Sequence, residues 1–271
     1  MLELTSLNII SFLLIFFIGM PHGSFDGAVA SLVGFETKAK FIQFLILYLF
    51  LFSAVILFWL YFPLISLLIF LLMTISHFGL CDWAHFKIKK YKYRVSITYG
   101  MTVIFGIIFF NETQAFQIFE YLTNDKIYFF QKFIYIFYII TFLSIIYFIY
   151  LSIFEQELRI GLVEILILLI IFYVFDPLLS FAIYFCFFHT YKHLKHLIIN
   201  VYLFLPNKKF VIYSTIVFTI ISWLGAIFIG LFLLQNFNIY ESIIKVIFIG
   251  LAALTLPHML LVDLIYRKKF S

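Results

Sequence analysis

Charge is what this chain most lacks: Asp, Glu, Lys and Arg together make up 11% of its 271 residues, where ordinary soluble domains carry about a quarter. So few charges cannot clothe a water-facing surface, which excludes a soluble globular protein. Cysteine is nearly absent too. The two present, Cys81 and Cys186, lie inside apolar stretches, which leaves no disulfide framework and reads as core packing. The opening MLELTSLNII has no basic n-region and no small-residue cleavage site, so it reads as a retained first span rather than a signal peptide. Linkers, low-complexity tracts and soluble inserts are missing as well, and residues 1–271 read as one integral-membrane domain.

What is present is hydrocarbon. Hydrophobic residues fill 65% of the chain, mean hydropathy is +1.15, and Phe supplies 40 residues and Tyr 18. That aromatic load exceeds what interfacial belts need and predicts aromatic helix contacts or a cavity wall suited to a large, flat apolar ligand. A genome biased toward Phe, Ile, Tyr and Lys would raise the same count. The net charge of +5 reports membrane topology, and no nucleic-acid partner is expected from it.

Apolar runs of helical length fall at residues 5–22, 41–61, 64–84, 95–110, 127–154, 160–175, 177–197, 211–234 and 243–266. They predict an all-α polytopic transmembrane bundle of about nine spans, or eight if one of the tight turns at residues 61–64 or at Asp176-Pro177 is not a break. Lys and Arg set the orientation. Fifteen of the 18, from Lys38 through the run at Lys87 to Arg94 and on to Lys269, fall on one side of a nine-span arrangement, which makes that side cytoplasmic. The N-terminus is then outside, the C-terminus inside, and NETQAFQIFEYLTNDK, with Glu112, Glu120 and Asp125, the largest external loop.

Against this background four histidine motifs stand out: MPHGSFD (Met20 to Asp26), SHFGLCD (Ser76 to Asp82), FHTYKHLKHL (Phe188 to Leu197) and LPHMLLVD (Leu256 to Asp263). Charged side chains at the centre of a membrane helix cost roughly 2.5 to 3.5 kcal/mol each on insertion scales, so recurrent polar motifs need a chemical reason. Metal ligation is the first candidate. The expected topology brings His22, His77, His189, His193 and His258 to one depth. His189, His193 and His196 share one face of a regular helix, and the first two can chelate one ion. His196 can equally solvate the helix end beside Lys192 and Lys195. Pro21 bends the chain at His22, Gly23 and Gly27 permit close helix approach, and Asp26 one turn on can accept the second ring N–H of His22. His77 and Asp82, and His258 and Asp263, are five residues apart, about 140° on a straight helix. Neither Asp therefore reaches its own histidine, though each can serve a neighbour's. His85, beside the basic run, reads as interfacial.

Imidazoles without thiolates suit iron, zinc or copper better than magnesium or calcium. Four neutral histidines on Fe(II) leave positions open for O2, whereas zinc closed by four ligands is structural. Buried His–Asp contacts that only hold helices together are the non-metal alternative. Other readings are a membrane lipid desaturase or hydroxylase, whose di-iron centre needs about twice as many histidines as the seven here, a bis-histidine haem carrier, and a proton or ion transporter using His and Asp as a relay.

In order, spacing and placement, PHGSFD, SHFGLCDW, FHTYKHL and PHMLLVD resemble the motifs of the Brp/Blh family of bacterial and archaeal membrane β-carotene 15,15′-dioxygenases, over essentially the whole chain. The resemblance implies a multi-pass enzyme of the cell membrane. It would use Fe(2+) and O2 to split β-carotene, drawn from the lipid bilayer, at its central double bond into two molecules of all-trans-retinal, commonly for a microbial rhodopsin. It also implies that His22, His77, His189 and His193 hold the iron. His258 matches by position alone and, with Asp26, Asp82, Asp263 and His196, is expected to support the ligands or touch substrate. One departure is Lys192, where the family pattern leads one to expect Arg.

Overall fold

The computed structural model describes residues 4–83, 91–124, 127–195 and 208–269, the side chains at 22, 129 and 263–269 excepted. Among the described residues there is no strand. Helix α1 (Ser6–Leu14) runs into a π turn (Ile15–Gly19), then a 3-10 stretch (Met20–Phe25), then α2 (Asp26–Leu32). Pro21 explains the irregularity. The Met20 N–H donates five residues back to the Ile15 carbonyl, and the next position in that pattern, Pro21, has no N–H for the Phe16 carbonyl. That carbonyl instead accepts the indole N–H of Trp223 at 2.8 Å. The first span thus does not end at His22 but passes through it to Leu32.

Helix α3 (Lys38–Tyr61) starts at Thr37, whose hydroxyl accepts the Lys40 N–H. It stops where Pro63, the first residue of α4 (Pro63–Asp82), forces Phe62 out of helical geometry (φ −132°, ψ 60°). Then come α5 (Lys92–Phe110), α6 (Glu112–Thr123), α7 (Tyr128–Phe154) and α8 (Gln156–Val174). Asp176 caps α9 (Pro177–Ile183), its Oδ1 accepting the N–H groups of Leu178 and Leu179 at 3.0 Å each. A second π turn, Tyr184–His189, follows, and the chain stays helical over 190–195. Last are α10 (Lys208–Leu233) and α11 (Ile239–Lys269), the latter with Pro257 inside it.

The stretch expected to join two spans outside the membrane is itself helical as α6, because Ala115, Phe116, Ile118, Phe119, Leu122 and Thr123 recur at helical spacing and are buried. It closes on Asn124 in the left-handed region (φ 55°), while Asp125 and Lys126 lie outside the described residues.

The chain is inside-out by the standard of a soluble protein. Phe50, Leu60 and Phe228 are 67%, 69% and 72% exposed, while Asp26, Asp82 and His189 are completely buried. Apolar faces of this extent suit lipid. Among the described residues, seven helices are long and apolar enough to cross a membrane: Ser6–Leu32, Lys38–Tyr61, Pro63–Asp82, Lys92–Phe110, Phe130–Phe154, Lys208–Leu233 and Ile239–Val262. The expected spans at 160–175 and 177–197 are not among them. Helix α8 carries three charges, Glu157, Arg159 and Glu164, and the helical stretch 177–195 is broken by its π turn.

Two compact units divide the chain, one from Met1–Ser11 and Leu67–Lys192, the other from Phe12–Ser66 and His193–Ser271. In the first, α5 packs against α6, α7, α8 and α9. Helices α4 and α5 meet backbone to backbone: a Cβ on Gly79 would lie 2.0 Å from the Ser96 carbonyl oxygen, and one on Gly100 would lie 1.9 Å from that of Ile75. In the second unit α11 packs on α2 and α3, α10 on α2 and the 3-10 stretch, and the core joins Ala28, Val29, Ala30, Phe44, Tyr48, Val211 and Leu261. Close approach at the first motif belongs to Gly27, whose Cβ position is 3.0 Å from the Phe218 ring, and not to Gly23, which faces open space. Cys81 and Cys186 are buried, as packing residues should be.

Substituting Gly79→Ala or Gly100→Ala therefore forces two backbones apart, and each is expected to destabilise the protein by about 1–3 kcal/mol or more. Gly250→Ala, which meets nothing within 4 Å, serves as the control. Thermal melts in detergent should show both α4–α5 variants melting well below wild type and Gly250→Ala close to it.

Candidate metal centre

The second and third histidine motifs meet in the first unit. Helix α4 carries His77 and Asp82, and the π turn after α9 carries Tyr184 and His189. Asp82 accepts twice: its Oδ1 lies 2.8 Å from Nδ1 of His189, and its Oδ2 takes the Tyr184 hydroxyl at 2.8 Å. All three side chains are buried, where a carboxylate survives only with its lone pairs satisfied. The π turn makes this possible. Residues five apart lie about 140° around a regular helix, whereas i→i+5 bonding sets them nearly one above the other, so Tyr184 and His189 address the same carboxylate. The ring of His77 lies edge-on to that of His189, centres 5.0 Å apart. Phe78 and Phe185 pack on the His189 ring from 4.6 and 5.9 Å.

The second unit repeats this build. Asp26, the first residue of α2, lies with its Oδ1 2.7 Å from Nδ1 of His258 on α11, and its Oδ2 takes the Tyr48 hydroxyl of α3 at 2.9 Å. His193 lies edge-on to His258, centres again 5.0 Å apart.

Asp82 serves the imidazole of His189, a neighbour's histidine, and not that of His77 five residues before it, which lies on another face of the helix. At the first motif the expected pairing changes. Asp26 is engaged by His258. Its expected partner His22 has a side chain outside the described residues, as does Asp263, while His85 and His196 lie outside them altogether. Sequence reasoning missed both tyrosines. The signal for Tyr184 was its five-residue offset from His189, meaningful only once the π turn is known; that for Tyr48 was a lone hydroxyl in LILYLFLF. Lys192, the departure from the family pattern, pairs with Glu164 of α8 and sits 5.2 Å from the Tyr99 ring centre. Tyr99 in turn donates its hydroxyl to Glu164.

Among the described residues no group of three or more His, Cys, Asp or Glu side chains is set out as a metal cage; each unit shows a pair of imidazoles. Those pairs fit a metal. Two imidazoles sharing one ion through nitrogens at about 2.1 Å, at a roughly tetrahedral angle, bring their ring centres to about 5 Å, as in both pairs here. A ligating histidine ordinarily donates its other N–H to a carboxylate, and His189 and His258 both have Nδ1 on one. The lone pair then resides on Nε2.

Fold and donor set together define an integral-membrane helical protein with carboxylate-oriented imidazole pairs, a build suited to redox-metal chemistry within lipid. The family model described as beta-carotene 15,15′-dioxygenase matches residues 13–266. A beta-carotene 15,15′-dioxygenase from uncultured marine bacterium 66A03 is 32% identical over 267 residues, covering 95% of this chain and 94% of that protein. No solved structure matches. The chain belongs to the β-carotene 15,15′-dioxygenase family, and its enzyme class is that of the oxygenases.

Asp82→Asn keeps the shape of the side chain but removes the carboxylate that orients His189, so any metal ion held by the paired rings should be retained about 10–100-fold less well. Tyr184→Phe leaves the carboxylate in place and should cost less. Metal analysis after dialysis against a graded chelator gives the order wild type, Tyr184→Phe, Asp82→Asn, and equal retention by Asp82→Asn and wild type would contradict it.

Proposed function

We propose that this chain is an enzyme of the cell membrane that cleaves β-carotene at its central 15,15′ double bond with O2 to give two molecules of retinal, using ferrous iron held by His22, His77, His189 and His193. The observation that carries this reading is the buried, carboxylate-bound His189 in a chain matched to the family over residues 13–266. Ferrous iron on neutral imidazoles supplies the one-electron chemistry with O2 that a closed-shell alkene cannot undertake alone. One C=C and one O2 balance against two aldehydes, so no external reductant is required, unlike the desaturase alternative.

The protein's own part is position and exclusion of water. Asp82 fixes the tautomer and rotation of His189, and Tyr184 fixes Asp82. Phe78 and Phe185, stacked and tilted against the His189 ring, surround it with hydrocarbon that matches a polyene and repels water. Retinal released into the membrane would be available to a rhodopsin.

Expression in cells that make β-carotene provides the test: the pigment should bleach as retinal accumulates, and unchanged pigment beside folded, iron-loaded protein would remove the reading. His77→Ala and His189→Ala should each abolish both iron retention and cleavage.

A further inference from the structure

His258 has so far matched the family pattern only by its position near the C-terminus, yet its surroundings duplicate those of His189 feature by feature. Each imidazole has Nδ1 on a buried carboxylate, at 2.7 Å for His258 and 2.8 Å for His189. Each carboxylate takes one tyrosine hydroxyl on its other oxygen, Tyr48 at 2.9 Å and Tyr184 at 2.8 Å. Each ring has a second imidazole edge-on with centres 5.0 Å away, the planes 67° apart for His193–His258 and 65° for His77–His189. His258 is 3% exposed and Asp26 not at all.

We propose that His258 is a metal ligand, binding through Nε2 the ion that His193 binds, with Asp26 as the carboxylate that orients it. The proposal rests on the iron reading above and adds a residue to its ligand set. A contact that merely tied α11 to α2 would be better made from apolar side chains, because a buried His–Asp pair repays its desolvation poorly. Nor would such a contact call for a second imidazole at ligand-to-ligand spacing. Pro257 interrupts the hydrogen-bond ladder of α11 one residue earlier, which gives the backbone local freedom at this position.

The test is Co(II) binding to the purified full-length chain in detergent, with Co(II) as a spectroscopic stand-in for ferrous iron. Wild type, His189→Ala, His258→Ala and Asp26→Asn are compared. His258→Ala should lose roughly 100-fold or more in affinity, beyond the 10–100-fold expected of Asp26→Asn, which touches only the orienting carboxylate. Its visible ligand-field bands should shift, and added imidazole should restore them. If His258→Ala binds Co(II) with wild-type affinity and unchanged bands while His189→Ala loses the ion, the proposal is overturned and the iron reading stands. Should His258→Ala fail to fold, Asp26→Asn decides, and wild-type affinity and bands there overturn the proposal. Wild-type protein that binds no Co(II) overturns both.

Discussion

A carboxyl group sealed inside an apolar helix bundle is the constraint on which the rest depends. Asp82 is fully buried, so its oxygens must be satisfied by protein donors held in place. His189 and Tyr184 supply them. In doing so they lock one another: the carboxylate sets the imidazole's tautomer and rotation, and the tyrosine keeps the carboxylate from turning away. Asp26 meets the same requirement with His258 and Tyr48, partners from two further helices. A polar group too costly to bury alone thus becomes a rigid support for a ring nitrogen.

The helical irregularities follow from that requirement. A regular helix offers residues three and four apart on one face, yet Tyr184 and His189 must reach one carboxylate from five apart, and the π turn between them reconciles the two. At the first motif the order of cause is reversed. Pro21 breaks the ladder, the chain widens before it and tightens after it, and the abandoned Phe16 carbonyl is recovered by Trp223. At the first motif the irregular backbone is tolerated because a protein side chain takes up the freed carbonyl.

Much of the architecture was legible in the sequence because its signals are compositional. Apolar runs between Pro, Asn and Lys-rich breaks located the helices, and histidines in a chain of 11% charge announced themselves. The pairing of His with Asp was not legible. Spacing on an ideal helix excludes Asp82 from His77 but does not choose among other histidines, and that choice depends on how helices remote in sequence pack. Tyr184 and Tyr48 were lost among 18 tyrosines. The helicity of α6 was hidden because Glu112, Gln114, Gln117 and Glu120 dominate its hydropathy, while the apolar residues between them, spaced for one buried face, carry the structural information.

The helix that carries His77 and Asp82 is held by its backbone. Ile75 and Gly79, two residues to either side of His77, are the points at which α4 touches Gly100 and Ser96 of α5. No Cβ fits at either glycine, so the main chain around His77 cannot move without parting the two helices. Reactive geometry tolerates errors of well under about 1 Å, and a main chain pinned on both sides of His77 keeps its Cα within such limits. Small residues pressed against a neighbouring carbonyl, which propensity alone would mark as helix weakeners, here supply the rigidity that the paired rings require.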